Sequence, residues 1–304
     1  MPVGRRWKAL LNREAPAAWL LAAPALLGLT LFVAVPFALA LGMSFTDLRM
    51  GSPLPTEWQG LAQYRRILTD PSFLHALRNN AVFAAVVVPL QTALALGLAL
   101  LLDRPLRGMV VFRTLFFLPV VFPMALVAVV WILIYAPGPD GLMNAALDAL
   151  TLGYWEPVDF LHNPYWALPA IMLLSIWQGV GFQMVILLAA LQGVPRELHE
   201  AARMDGAGPV RRFWHVTLPQ LRNPLIFVGL VTAILSFRLF DQVQIMTQGG
   251  PLDATTTVMY EAVTAVFERQ RAALGAAMTV VFFLLVLGVT VVQRLLVREE
   301  REIE

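Results

Sequence analysis

Cysteine is absent from the 304 residues, which excludes disulfides, thiolate metal sites and cysteine nucleophiles. Lysine is nearly absent: Lys8 alone interrupts an otherwise all-arginine set of 22 basic residues. Charge of either sign is scarce, at 14% of the chain, and runs of twenty or more residues carry none. No ordinary soluble domain has that pattern. No basic tract interleaved with aromatics occurs, so nucleic acid is not an expected partner. His75, His162, His199 and His215 show no metal-ligand spacing, no catalytic constellation stands out, and no G-x-x-x-x-G-K-[ST] loop offers a backbone cradle for ATP.

What is present is apolar, 59% by count. A bilayer's hydrocarbon core takes about 20 apolar residues as helix. Six runs meet that length, at roughly 19–45, 80–102, 114–136, 167–190, 224–244 and 273–293. The expected fold is therefore all-α and polytopic, one membrane domain over 19–293 between terminal segments 1–18 and 294–304. Arg5, Arg6 and Lys8 before the first run, with Ala38 and Ala40 near its end, outline a secretory signal. Its apolar stretch is too long for one, so a span is expected. Pro24 and Pro36 inside it are tolerable where neighbouring groups satisfy the freed backbone.

Arginine and lysine are distributed unevenly. Fifteen fall before the first run, in 103–113, in 192–223 or after 293; six fall in 46–79 and 241–272, and none in 137–166. The positive-inside rule then places both termini and the 192–223 loop in the cytoplasm. The acidic residues Asp140, Asp148, Glu156 and Asp159 face outward, as a solvated face or as a docking surface for a delivering protein.

The 192–223 loop contains "EAARMDGAGPVRRFWHVTLP", residues 200–219. Pro195 suits a first helical turn, and Glu197 and Arg203 complement the two ends of the helix dipole. The spacing predicts a short helix over about 195–204, a stop at Asp205-Gly206 and a second helix from Gly208-Pro209. Leu198, Ala201, Ala202 and Met204 lie near one face. That slight ridge fits a close-approaching protein better than lipid, because interfacial helices carry bulkier anchors.

Glu200-Ala201-Ala202, Gly206, Val216, Leu218 and Pro219 together resemble the signature of the membrane subunits of binding-protein-dependent ABC importers. "GLAQYRRILTDPSFLHALRNN" (60–80) and "TQGGPLDATTT" (247–257), followed by Tyr260, Phe267 and Gly275-Ala276-Ala277, resemble the carbohydrate branch. They are most similar to the first-written permease of maltose, lactose and glycerol-3-phosphate systems. The resemblance implies a type I importer permease fold in a bacterial or archaeal inner membrane. It also implies a second homologous permease, two ATPase subunits carrying ATP and Mg, and an extracytoplasmic solute-binding protein. Glu200, Ala201, Ala202, Asp205, Gly206, Leu218 and Pro219 would form the coupling element docked on the ATPase, and this chain itself would be no enzyme and hold no cofactor or metal.

A translocation path needs hydrogen-bond partners where lipid offers none. Polar candidates in or near the runs are Asn79, Asn80, Gln91, Ser175, Gln178, Gln183, Ser236, Arg238, Asp241, Gln242 and Gln244. Ser175 and Gln178 share a helix face, with Trp177 and Phe182 offering rings that stack on sugars. Gln178 is open to an interhelical hydrogen bond as well as to substrate. Arg238 and Asp241, at i and i+3, are expected on one face of the fifth run, neutralising one another or lining a gate. Gly249-Gly250-Pro251 reads as a turn placed to meet a binding protein. The alternative of an ion-coupled carrier lacks an evident inverted repeat and a lone mid-membrane carboxylate; a membrane enzyme lacks clustered His, Asp or Glu.

Overall fold

The computed structural model describes residues 14–103 and 108–297. Arg5, Arg6, Lys8, Arg104 and Arg107, and most of the expected terminal segments, lie outside those residues. Among them the chain is helical, with one isolated antiparallel bridge between Thr46 and Trp58. By contacts it divides into two compact units, Met1–Ile67 with Thr264–Val280 and Leu68–Val263 with Val281–Glu304.

In the first unit, α1 (Glu14–Leu29) passes through a π-helical turn, Thr30–Ala34, into α2 (Val35–Met43). The cause is Pro36. Proline donates no N–H and its ring crowds the carbonyl one turn back, and widening the preceding turn relieves both, so the Val35 N–H bonds Thr30 instead. No described residue from Ala18 to Met43 is buried, leaving this span's faces to lipid or another subunit. After α2 the chain folds back: Asp47 N–H donates to Glu57, Gln59 N–H to Phe45, and Phe45 stacks on Trp58 at 5.3 Å. α3 (Ala62–Thr69) closes this strap through Gln63, whose amide donates to the Thr46 carbonyl at 3.0 Å.

The second unit begins with α4 (Pro71–Leu102). Apolar character predicted a start at 80, but the helix is set nine residues earlier by its cap. Asp70 is extended and accepts from the Ser72 N–H at 3.0 Å, with Pro71 at the first helical position. Its buried residues, Phe73, Ala76, Asn80, Phe83, Val87, Gln91, Ala95, Ala99 and Leu102, recur every three or four positions, so one stripe is buried along the whole helix.

The run 114–136 is not one straight helix. α5 (Met109–Val121) and α6 (Met124–Ile134) meet at 102°. Pro123 pushes Phe122 out of the helical region, to φ −82° and ψ 139°. The loop that follows holds α7 (Leu142–Leu150) and turns about Asn144, which is 1% exposed. Its amide donates to Gly138 and Val158, and its oxygen accepts from the Val158 N–H and the Trp155 indole, all at 3.0 Å. Every hydrogen-bonding site of that side chain is used. Asn144→Ala would remove four part-buried hydrogen bonds at about 1 kcal/mol each. The expected result is a fall in thermal unfolding midpoint with faster hydrogen exchange confined to 138–158; an unchanged exchange map would contradict it.

α8 (Ala167–Gln192) is the centre of the unit, with buried residues along its whole length. Its first half packs Ile171, Leu174 and Ile176 with Phe83, Val127, Trp131 and Val243; its second half packs Met184, Leu187 and Leu191 with Ala95, Ala99, Leu221 and Val228. After α8 come α9 (Arg196–Met204), α10 (Pro209–Arg212), a second π-helical turn Phe213–Thr217, α11 (Leu218–Gln220) and α12 (Arg222–Phe237). This π turn precedes Pro219 as the first precedes Pro36, for the same reason.

The fifth run also departs from expectation. α12 stops at Phe237, and α13 begins only at Asp241 and ends at Met246. Phe240, at φ −138° and ψ −60°, breaks the helix, and the Leu239 carbonyl freed there accepts from the Thr257 hydroxyl at 2.8 Å. α14 (Val258–Phe267) and α15 (Ala272–Val297) complete the chain. Among the described residues four helices are long and apolar enough to cross a membrane, or up to six if each of the two bent pairs, Met109–Val121 with Met124–Ile134 and Pro209–Gln220 with Arg222–Phe237, is one span.

Candidate functional site

Two adjoining hollows of about 300 and 310 Å³ open in the second unit between α4, α8, α12 and α13. They share Gln91, Gln178, Gly179, Thr232 and Leu235. Gln91 enters from the buried stripe of α4 and finds room because position 179 is glycine: a Cβ there would collide with the Gln91 amide nitrogen. Gln178 donates to the Phe122 carbonyl at 3.0 Å, which the α5–α6 break leaves free. Ser175 accepts from the Gln242 amide at 3.1 Å. Gln183 donates to the Thr232 hydroxyl, while its oxygen is buried without a partner.

Arg238 and Asp241 line the same hollow, but not as the expected pair. The helix break between them removes the shared i, i+3 face, and among the described residues neither makes an ion pair. Both side chains are exposed to the hollow's solvent. Ser175, Gln178, Gln183, Arg238 and Asp241 are thus brought together. Asn80, Trp177 and Gln244 are not among the lining residues. Asn80 accepts from the Val258 N–H at 2.9 Å, and Trp177 meets Trp131 edge-on at 5.6 Å. Thr232 and Gly179 were not singled out in the sequence, where a threonine or glycine within an apolar run carries no distinguishing signal.

Gly249-Gly250-Pro251 belongs to a loop fastened by its own threonines. Thr255 donates to the Gly250 carbonyl at 2.6 Å and shares a 2.7 Å bond with the Thr247 hydroxyl. Asn79 donates to Asp253 and Thr256 carbonyls, both at 2.9 Å. Gly249 has φ +81° and lies against the Tyr260 ring, and the Gly250–Pro251 bond is cis. Leu252, 88% exposed, is the outermost point of the turn.

The 192–223 loop forms a turn of defined geometry. Asp205 ends α9, Gly206 follows at φ +76°, the Gly206 N–H donates to Arg203 at 3.0 Å and the Ala207 N–H to Ala202 at 2.9 Å. That pair of bonds is a Schellman closure, which satisfies two carbonyls of the helix end. No residue of α9 is buried; Glu200 and Ala201 are exposed and Ala202 is half-buried. The helix is therefore presented outward with Leu198, 40% exposed, beside its alanines. Pro219 and Leu218 lie at the π turn that leads into α12.

Residues 91–302 match the family model of the binding-protein-dependent transport system inner membrane component, so the match contains α8, α12, α13 and the turn, and α4 from Gln91 onward. The chain belongs to that family. It is a multi-pass permease component of an inner membrane, working in a system that depends on a binding protein, and the ion-coupled-carrier alternative falls. The chain is 33% identical over 300 residues to the sulfoquinovosyl glycerol transport system permease protein SmoG of Agrobacterium fabrum, covering 98% of this chain and 95% of that one. It is 33% identical over 266 residues to a probable ABC transporter permease protein of Pyrococcus horikoshii, covering 88% and 90%. It is 35% identical over 242 residues to the sn-glycerol-3-phosphate permease protein UgpA of Yersinia pseudotuberculosis, covering 79% and 80%. Among solved structures, a bacterial ABC transporter that imports the acidic polysaccharide alginate superposes with TM-score 0.81 at 20% identity, over 98% of this chain and 100% of that chain. That likeness bears out the all-α permease fold expected from the six apolar runs.

Proposed function

We propose that this permease forms half of the translocation path for a sugar or a polyol phosphate, with the hollow between α4, α8, α12 and α13 as its part of that path. The observation that carries the reading is the convergence of Gln91, Gln178, Gln183, Ser175 and Gln242 on two adjoining hollows inside otherwise apolar helices, with Gln91 and Gln178 lining both. Amide and hydroxyl groups there replace the hydrogen bonds a polyhydroxyl solute gives up on leaving water. Arg238, which makes no ion pair among the described residues, adds a site for an anionic group. SmoG, UgpA and the alginate importer are named for such solutes.

The termini and the 192–223 turn face the cytoplasm in this reading, as the arginine distribution requires. The turn docks a separate ATPase subunit that carries ATP and Mg, and this chain catalyses nothing itself. A second permease, a second ATPase subunit and a binding protein complete the assembly.

Gln91→Leu tests the path. It is nearly isosteric, and Gln91 makes no hydrogen bond that another side chain depends on. Uptake by the assembled transporter in proteoliposomes is expected to show KM raised about tenfold, the loss of one hydrogen bond to a bound solute. Equal KM and kcat in the variant would remove Gln91, and with it this hollow, from the path.

A further inference from the structure

A third hollow, of about 280 Å³, lies wholly within the first unit. Its walls come from the segment just after α2 and from the segment that opens α15. These are the mouths of two membrane spans, Ala18–Met43 and Ala272–Gln293. The hollow therefore sits where hydrocarbon gives way to headgroups, a depth at which arginine side chains meet lipid phosphate.

Two backbone bonds fix what faces what. The Ala273 N–H donates to the Leu48 carbonyl at 3.0 Å and the Met50 N–H to the Gln270 carbonyl at 2.9 Å. The two segments run antiparallel, and Arg49 and Arg271 fall between those bonds, one on each segment. Both line the hollow and, among the described residues, neither makes an ion pair. Two like charges bordering one hollow repel, and a bound anion would neutralise them. Arg66 also lines the hollow. The carboxylate present, Asp47, is engaged by the Glu57 N–H at 2.8 Å. Leu48, Leu54 and Leu274 supply apolar wall beside the charges, the combination an amphiphile requires.

We infer that Arg49 and Arg271 form a binding site for the phosphate of an anionic phospholipid at the ends of the first and last spans. Guanidinium forks match phosphate oxygens in bidentate fashion. The leucines take the glycerol and first acyl carbons. Free inorganic phosphate shares the oxyanion chemistry but not the apolar wall, so it should occupy the site weakly.

The test uses the full transporter, co-expressed with its partner subunits and placed in nanodiscs of phosphatidylcholine with one part in ten phosphatidylglycerol. Lipid retained after detergent extraction is counted by native mass spectrometry. The wild type should retain phosphatidylglycerol above its bulk share. Each single change, Arg49→Gln or Arg271→Gln, should lower that enrichment about fivefold, and the double variant roughly twentyfold or more. Arg49→Lys with Arg271→Lys keeps both charges but not the bidentate forks and should retain an enrichment between those of the wild type and the double Gln variant, which separates lost binding from lost folding. Enrichment unchanged in the double Gln variant would overturn the site. Arginine-dependent binding of inorganic phosphate in pure phosphatidylcholine, with no phosphatidylglycerol enrichment, would overturn the lipid assignment.

Discussion

Gly181→Leu is expected to abolish accumulation of the assembled transporter, and Gly181→Ala to destabilise it by about 1–3 kcal/mol, the range for overpacking a close-packed interior. Helix propensity alone predicts the opposite sign, since alanine exceeds glycine by about 1 kcal/mol inside a helix. The geometry decides between them. A Cβ at Gly181 would coincide with the Phe116 carbonyl oxygen and lie 2.8 Å from its carbon and 2.9 Å from the Phe117 Cα. All three are backbone atoms of α5, so no rotamer change can make room. Gly97 of α4 is the contrast, with nothing within 4 Å of an added Cβ; Gly97→Ala should be neutral or stabilising by a few tenths of a kcal/mol up to about 1. Membrane abundance and the unfolding midpoint of the purified complex check both. A stabilised Gly181→Ala would mean that α8 and α5 do not pack at this distance.

The same comparison explains what was legible in the sequence. The turn at Asp205-Gly206 depends on contacts no further than five residues along the chain, and its helix was read to within a residue of Arg196–Met204. Breaks caused by distant residues were not legible. Leu239 and Phe240 are apolar and continue the fifth run, and the threonine that satisfies the freed carbonyl lies eighteen residues later. Arg238 and Asp241 were therefore placed on one helix face that the chain does not form. The start of α4 was misplaced for another reason: apolarity locates the lipid-contacting part of a helix, whereas Asp70 and Pro71 locate its first turn. Gly179 and Gly181 carry their meaning only against Gln91 and Phe116, residues on other helices. Polar side chains in apolar runs were legible as a set, but the sequence could not sort Gln91 and Gln178, which line the hollow, from Asn80, which fastens a loop.

Gly206→Val is expected to lower substrate-stimulated ATP hydrolysis by the assembled transporter at least tenfold while leaving the membrane helices folded. Gly206 sits at φ +76°, where a side chain costs about 1–2 kcal/mol and a β-branched one more. Nothing lies within 4 Å of an added Cβ, so the effect is on the backbone alone and no packing is lost. What fails is the closure from Gly206 and Ala207 to Arg203 and Ala202, the bonds that set the direction in which α9 leaves the turn. No residue of α9 is buried, so core packing does little to fix its direction. A misdirected α9 would present Glu200 and Ala201 at the wrong angle to the ATPase subunit, and docking is sensitive to displacements of about 1 Å. Gly208, two residues on, separates this cause from a general intolerance of the loop. Its φ of −67° suits any residue and an added Cβ is equally free, so Gly208→Ala should hydrolyse as the wild type does. Glu200→Ala, which leaves the turn intact, should weaken ATPase co-purification without altering the helix content seen by circular dichroism. Coupling retained in both Gly206→Val and Glu200→Ala would show that force enters the permease elsewhere.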